Sequence, residues 1–136
     1  MNKKNYINLA KKAARIQIQE LKKINKVLNA SFIKAVDLIL NCKGKVVFAG
    51  IGKSGLIARK ISATFSSVGI PSFFCDPAQA LHGDMGQIEK KDILIIFSYS
   101  GNTSELTNML RYANRFRIKI IGVASKSDSL LLKASD

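Results

Sequence analysis

Residues 45–56 read KVVFAGIGKSGL, a short apolar run that leads directly into a glycine-rich turn. The run Lys45–Ala49 is apolar and rich in β-branched residues, which is typical of a strand buried on both faces of a parallel sheet. A helical pattern follows from Leu56 to about Val68. The stretch therefore predicts a strand, a glycine loop and a helix, the opening half of a β-α-β unit.

The same alternation continues towards Asp136. Three more strands are predicted, at Pro71–Phe74, Asp92–Phe97 and Ile118–Ala124. Between and after them we expect a short helix or turn at Pro77–His82, a polar loop at Ser98–Thr103, and helices at Ser104–Phe116 and Ser129–Ala134. Alternating strands and helices favour right-handed crossovers, so we predict an α/β fold, a three-layer αβα sandwich with a parallel sheet.

Residues 1–43 contain neither Gly nor Pro and predict two helices. The apolar face of the first consists of Ile7, Ala10, Ala14, Ile18, Leu21 and Leu28. The second begins near Ser31, ends at Gly44 and is expected to point Phe32, Val36, Ile39 and Leu40 inward. No linker is evident, so we predict one domain over 1–136, with N-terminal helices 1–43 and an αβ core 44–136. A further strand would be expected after Asp136, which predicts a fold shortened at its C-terminus.

Composition places the chain among globular proteins. It has 136 residues, of which 47% are hydrophobic and 23% charged. The longest wholly apolar run, Ile93–Phe97, is far too short to cross a membrane, and no signal-peptide pattern is present. The two cysteines, Cys42 and Cys75, form neither a disulfide framework nor a zinc motif. We therefore expect a cytoplasmic protein with no membrane partner and no metal.

The chain is strongly basic, with 22 Lys and Arg against 9 Asp and Glu and a net charge of +13. About half of the excess lies before residue 31, where eight cations face one acid. Such a charge attracts polyanions, but no nucleic-acid motif or interleaving of aromatic and basic residues accompanies it. A solvated, lysine-rich helix face is the simpler interpretation, and we predict no specific nucleic-acid partner.

Three interpretations compete for the loop Gly50–Gly55, which reads GIGKSG. A P-loop is excluded because Val47 stands where its first glycine is needed. The dinucleotide fingerprint GxGxxG fits, and Asp76 lies 21 residues beyond Gly55, at the spacing of a ribose-binding acid. The third interpretation is a tight turn that serves packing alone. A helix N-terminus with Lys53 beside it would suit any phosphate ligand.

The loop Ser98–Thr103, SYSGNT, also joins a strand to a helix. Its hydroxyls at Ser98, Ser100 and Thr103, the amide of Asn102 and the N–H groups of a helix start could cradle one phosphate dianion. A dinucleotide-binding protein needs no second cradle, so this loop favours a phosphate ester. The alternative is a helix cap with incidental serines. We predict that both loops face one shared pocket.

Two further residues have a structural and a functional interpretation each. Glu105 lies in the first turn of the helix after the serine loop, where it either complements the helix dipole or serves as an acid or base beside the ligand. His82, the only histidine, follows the second strand in ALHGD. A single histidine is commonly structural, although its position in a loop after a strand favours ligand contact.

Taken together these motifs resemble the sugar isomerase (SIS) domain, and more narrowly the arabinose-5-phosphate isomerase family. The likeness runs from about residue 5 to Asp136 and is carried by GxGKSG at Gly50–Gly55, Arg59–Phe65, Gly69–Phe74, Pro77, HGDMG at His82–Gly86, and SYSGNTSE at Ser98–Glu105. It implies an enzyme that interconverts D-ribulose 5-phosphate and D-arabinose 5-phosphate, the precursor of the Kdo sugar of lipopolysaccharide, through an enediol. An alternative is an impaired SIS module that binds a sugar phosphate without turnover.

The resemblance implies roles for particular residues and no cofactor. Lys53 and Glu105 match positions of catalytic importance. The substrate-contacting positions are matched by His82, Gly69 and Ile70, and the phosphate loop by Ser98, Ser100 and Thr103. Gly52, Ser54 and Asn102 are expected to bind substrate as well. Asp76 stands where the family has a histidine that can bind inhibitory zinc, and Tyr99 replaces a small or amide residue. A further catalytic Glu and His, and paired regulatory CBS domains, lie beyond the region this chain reaches. Relatives form tetramers, so we expect a homo-tetramer or homo-dimer.

Overall fold

The computed structural model describes residues 3–136, with side chains from Asn5 onward. These residues divide into two compact units, the first ending at Asp37 and the second spanning Leu38–Asp136. The elements, in chain order, are α1 (Lys3–Lys22), α2 (Lys23–Lys26, a 3₁₀ turn), α3 (Ala30–Leu40), β1 (Val46–Gly50), α4 (Gly52–Ser67), β2 (Ser72–Cys75), α5 (Ala80–His82, 3₁₀), α6 (Asp84–Gln87, 3₁₀), β3 (Ile93–Phe97), α7 (Leu106–Phe116), β4 (Lys119–Val123) and α8 (Leu130–Lys133).

The first unit is helical and has no buried residue between Asn5 and Asp37. Helix α1 spans 20 residues and ends with Lys22 in its last turn, where a cation complements the helix dipole. The expectation that Phe32 and Leu40 point inward is wrong, because their side chains are 51% and 76% exposed. Ile39, in contrast, packs against the apolar cluster around Phe48 and Ile95.

The second unit is built on a four-stranded parallel sheet in the order β2-β1-β3-β4. Buried strands β1 and β3 occupy the centre, as their continuous apolar runs predict. Alternate residues of β1 enter different clusters, because successive side chains of a strand point to opposite faces. Val47 and Ala49 pack with α7 and α8. Val46 and Phe48 pack with α4, and this arrangement confirms the predicted three-layer αβα sandwich.

The amino-terminal edge of the sheet is held by one buried carboxylate. Asp92 accepts hydrogen bonds from the backbone N–H groups of Lys45, at 2.8 Å, and Glu89, at 2.9 Å. Its Oδ2 lies 3.3 Å from the Lys45 Nζ. Partial desolvation acts to lower the pKa of Lys45, but the hydrogen bonds and charges of Asp92 and then Glu89 outweigh it and raise that pKa. These contacts fix the start of β1 against the start of β3, and with it the register of the central strands.

Candidate functional site

The two loops singled out in the sequence lie side by side. Strands β1 and β3 are neighbours and pair Gly50 with Phe97, so the segments that follow leave the same edge of the sheet. A cleft of about 300 Å³ opens between them, lined by Ile51, Ser54, Phe97, Ser98, Tyr99, Ser100 and Thr103. The structure thus confirms that both loops border one pocket, at the carboxyl edge where ligands bind in open parallel sheets.

The glycine loop is shaped by close contact between backbones. A Cβ added to Gly55 would lie 2.6 Å from the Gly50 carbonyl oxygen, so no side chain fits at this position. Gly52 adopts a φ of +58°, and α4 begins at that residue rather than at Leu56 as predicted. Ile51, at the cap position, offers no side-chain acceptor to the first N–H groups of α4. The helix start therefore presents unpaired backbone donors beside the cleft.

The predicted residues of this loop differ in their relation to the cleft. Ser54 is half-buried and lines it. Gly52 and Lys53 are exposed and do not line it, although each lies within two residues of Ser54. Within residues 3–136 the Lys53 ammonium forms no ion pair, which leaves its charge uncompensated by the protein.

The hydroxyl loop, Ser98–Thr103, is organised around buried Ser98. The Ser98 Oγ lies 2.9 Å from the Thr103 Oγ1 and accepts the Gly101 N–H at 3.1 Å. One hydroxyl of the Ser98–Thr103 pair donates to the other, so one proton of the pair remains available. Ser100 Oγ accepts the Asn102 N–H at 3.2 Å and donates to no described residue. The loop therefore keeps two O–H donors for an anion in the cleft.

Asn102 has a structural contact that the sequence did not predict. Its Oδ1 accepts the Leu130 N–H at 2.9 Å, and the Gly101 carbonyl accepts the Leu131 N–H at 3.0 Å. Both bonds tie the loop to the start of α8 and leave the exposed Asn102 outside the cleft lining. The structure thus gives Asn102 a role in fixing the loop, because a helix start supplies N–H donors that need an acceptor.

Glu105 immediately precedes α7 and is exposed. Its own backbone N–H, and then the Ser104 hydroxyl at 2.8 Å, hold the pKa of this carboxyl below its usual value. Hydrogen bonds to the charged form favour ionisation, so Glu105 is a carboxylate at neutral pH and can accept a proton. It does not line the cleft, but it lies two residues beyond Thr103, which does.

The remaining predicted residues fall into two places. His82 ends the 3₁₀ turn α5, which follows β2 at the same edge of the sheet as the cleft, and its side chain is exposed. Gly69 and Ile70 precede β2 and so lie at the opposite edge. Gly69 has a φ of +85° in the turn after α4, and Ile70 packs against the apolar cluster of that helix. None of the three lines the cleft, so the structure does not unite them with the serines.

Three residues of the cleft lining were not predicted from sequence. Ile51, Phe97 and Tyr99 are each adjacent in the chain to a predicted ligand, and each lines the cleft. The sequence offered little indication that Ile51 and Phe97 line a cleft, because apolar residues at strand ends are commonly part of the core. Tyr99 alone had an independent signal, its unusual residue type at this loop position.

Across residues 3–136 no group of three or more His, Cys, Asp and Glu side chains could hold a metal ion.

Burial, aided by Asp84 and Asp76, raises the pKa of the Cys75 thiol to about 11, so that thiol is protonated at neutral pH. No helix within residues 3–136 is both long and apolar enough to cross a membrane.

Comparison with known proteins assigns the class. The SIS domain family matches residues 39–136. Escherichia coli K12 GutQ, an arabinose 5-phosphate isomerase, is 40% identical over 125 residues, which make up 92% of this chain and 39% of GutQ. The chain spans 39% to 43% of the length of the first curated relatives that it matches.

Two solved structures extend the comparison to the whole chain. A Listeria monocytogenes protein named as a candidate sugar-phosphate isomerase superimposes with a TM-score of 0.94 at 32% identity, covering 100% of this chain and 72% of that one. An Escherichia coli CFT073 protein in complex with arabinose 5-phosphate superimposes with a TM-score of 0.86 at 37% identity, again covering 100% of this chain and 72% of that one. The fold is that of SIS-type sugar isomerases, and the chain belongs to the SIS domain family.

Proposed function

We propose that the protein is an aldose–ketose isomerase that interconverts D-ribulose 5-phosphate and D-arabinose 5-phosphate, supplying the precursor of the Kdo sugar of lipopolysaccharide. One observation carries the proposal: a cleft with hydroxyl donors lies between two loop–helix junctions that bear Lys53 and Glu105. The names of relatives such as GutQ, and the solved complex of a relative with arabinose 5-phosphate, support this substrate class.

The phosphate group is proposed to bind the hydroxyl loop. Ser100 and the Ser98–Thr103 pair supply two O–H donors, and a dianion accepts charge-assisted hydrogen bonds from both. Ser54 faces the same cleft from the first turn of α4, whose free N–H groups carry the positive end of the helix dipole. Gly52 permits this helix start by adopting a positive φ.

The reaction moves hydrogen within the sugar and needs no redox cofactor. From the aldose, a base removes the C2 proton, the carbonyl oxygen at C1 gains a proton, and an enediol forms. Loss of the O2 proton and delivery of a proton to C1 then give the ketose. Glu105, held as a carboxylate, is proposed to take and return the carbon-bound proton. Lys53 is proposed to stabilise negative charge on the enediolate oxygens.

Contacts of His82, Gly69 and Ile70 with substrate stay predictions, as does a homo-tetramer or homo-dimer.

A second function, binding of a sugar phosphate without turnover, is favoured by a specific observation. Neither Lys53 nor Glu105 lines the cleft, whereas the hydroxyl grip on a phosphate requires neither of them. The two functions share the binding step and differ only in whether the carbon-bound proton moves.

The test combines turnover with ligand-induced thermal stabilisation. The 136-residue chain is incubated with D-ribulose 5-phosphate without nucleotide, and D-arabinose 5-phosphate is measured. Glu105→Gln is expected to lower turnover by about 100-fold or more while stabilisation by the sugar phosphate persists. Ser100→Ala is expected to weaken binding by roughly tenfold through loss of one charge-assisted hydrogen bond.

Ser67→Ala is the matched control, since Ser67 is an exposed hydroxyl at the far end of α4 and is expected to change neither readout. Stabilisation of the unaltered chain without turnover would replace the isomerase by the binding module. Absence of any stabilisation by sugar phosphates would contradict both functions. Stabilisation by NAD instead would restore the dinucleotide interpretation of GxGxxG.

A further inference from the structure

Tyr99 combines a fixed backbone with an unpartnered ring. Its carbonyl oxygen accepts two hydrogen bonds from Ser125, from the N–H at 3.0 Å and from the hydroxyl at 2.6 Å. These bonds anchor the hydroxyl loop, which follows β3, to the segment after β4. The side chain is nevertheless 82% exposed, and within residues 3–136 its hydroxyl has no hydrogen-bond partner. An aromatic ring held in this way contributes little to the stability of the fold, because it buries little apolar area.

Tyr99 lines two adjoining clefts. Beside the hydroxyl cleft lies a groove of about 200 Å³, which shares Ser54, Phe97, Ser98 and Tyr99 with it. The groove is completed by Ile57, Val123, Ala124 and Ser125, so most of its additional lining is aliphatic. Tyr99 thus borders both a cleft with O–H donors suited to a phosphate and a groove with a largely aliphatic lining suited to carbon.

We propose that Tyr99 is a specificity-determining residue whose ring covers the carbon chain of a sugar phosphate once the hydroxyl loop holds the phosphate. The inference rests on the proposed function and deepens it. The C–H faces of a sugar are apolar and flat enough to lie against an aromatic ring, while its hydroxyls stay in water. Inorganic phosphate has no carbon chain, so it binds the hydroxyl loop without using the ring.

The experiment titrates D-arabinose 5-phosphate and inorganic phosphate separately into the unaltered chain, Tyr99→Phe and Tyr99→Ala. Tyr99→Ala is expected to weaken sugar-phosphate binding by about five- to tenfold and phosphate binding by less than about twofold. Tyr99→Phe retains the ring and is expected to stay within about twofold for both ligands. Tyr6→Ala is the control, since Tyr6 is also an exposed tyrosine, at 53%, but lies in α1.

The possible outcomes distinguish failure of the Tyr99 inference from failure of the proposed function. Equal losses for both ligands would mean that Tyr99 shapes the loop and does not cover the sugar. A loss in Tyr99→Phe as large as that in Tyr99→Ala would assign the effect to the hydroxyl and overturn the role of the ring. Unchanged binding in Tyr99→Ala would overturn the inference and leave the proposed function standing. Failure of the unaltered chain to bind the sugar phosphate would remove both.

Discussion

The glycine loop and the hydroxyl loop occupy equivalent places in the fold, yet they are stabilised by different means. Each follows a buried central strand and precedes a helix on one face of the sheet. The first is held by backbone packed on backbone, with Gly50 and Gly55 too close for any side chain. The second is held by hydrogen bonds that backbone N–H groups donate to the side-chain oxygens of Ser98, Ser100 and Asn102.

The consequence of this difference is chemical. Close backbone packing lets α4 begin two residues after β1, and the glycine loop places only Ile51 and Ser54 on the cleft. The hydroxyl loop delays its helix until Leu106 and contributes Ser98, Tyr99, Ser100 and Thr103. The hydroxyl loop is stabilised by its own polar side chains, so it keeps polar groups at the cleft. The glycine loop is stabilised by close backbone packing that leaves no room for side chains, so it offers a ligand mainly the N–H groups at the start of a helix.

The largest effect is expected from closing the backbone contact of the glycine loop. Gly55→Ala places a Cβ 2.6 Å from the Gly50 carbonyl oxygen, a rigid backbone atom. We expect a loss of about 3 kcal/mol or more in the free energy of unfolding, because strand and helix must separate to admit the methyl group. Urea unfolding followed by circular dichroism measures it.

Gly52→Ala is the matched control within the same loop. Its Cβ would meet nothing within 4 Å, and only the φ of +58° opposes the substitution. A cost of about 1–2 kcal/mol is expected for that conformation alone. If Gly55→Ala proved no more destabilising than Gly52→Ala, close packing would not be what distinguishes the glycine loop.

An intermediate effect is expected where the hydroxyl loop meets α8. A Cβ on Gly101 would lie 2.3 Å from the Ser129 Oγ, at a φ of +67°. Gly101→Ala is expected to cost about 2–3 kcal/mol, and adding Ser129→Gly should recover part of the loss because the obstructing atoms belong to a side chain. Thermal and urea unfolding of the single and double variants measure the coupling. Absence of any recovery would show that the hydroxyl loop is as backbone-limited as the glycine loop.

The smallest effect concerns the ionisation of Glu105. Ser104→Ala removes the second of the two hydrogen bonds that lower the pKa of this carboxyl and keeps the first, from its own N–H. The pKa should therefore rise part of the way towards its usual value, as read from an NMR titration of the side-chain carboxyl carbon. An unchanged pKa would contradict the role of Ser104.

The sign of the linked stability effect follows from the direction of the shift. A lowered native pKa contributes stability above the unfolded pKa of Glu105, and that contribution disappears as the pH falls through the native pKa. Ser104→Ala should therefore narrow the difference in stability between neutral and acidic pH. Ser67→Ala removes a hydroxyl that donates to the Thr64 carbonyl oxygen and should leave that difference in stability unchanged.

Local sequence signals predicted most of the second unit. Apolar runs located all four strands to within two residues. The signal was clearest for β1 and β3, because a strand buried on both faces has to be continuously apolar. The start of α4 was placed four residues too late because glycines suggest a loop, whereas here Gly52 and Gly55 belong to the helix. The hydrogen bond from the Leu130 N–H to the Asn102 Oδ1 joins residues 28 positions apart, which no local pattern can show.

The sequence by itself determined the alternation of elements, the positions of the two loops that we propose to bind phosphate, and the resemblance to the SIS family, because each depends on residues close together in the chain. Tertiary structure decided which of the predicted residues meet. It joined Ser54 to Ser98, Ser100 and Thr103, because β1 and β3 are adjacent in the sheet. It placed Gly69 and Ile70 at the opposite edge, because a parallel strand carries its two flanking loops to opposite ends.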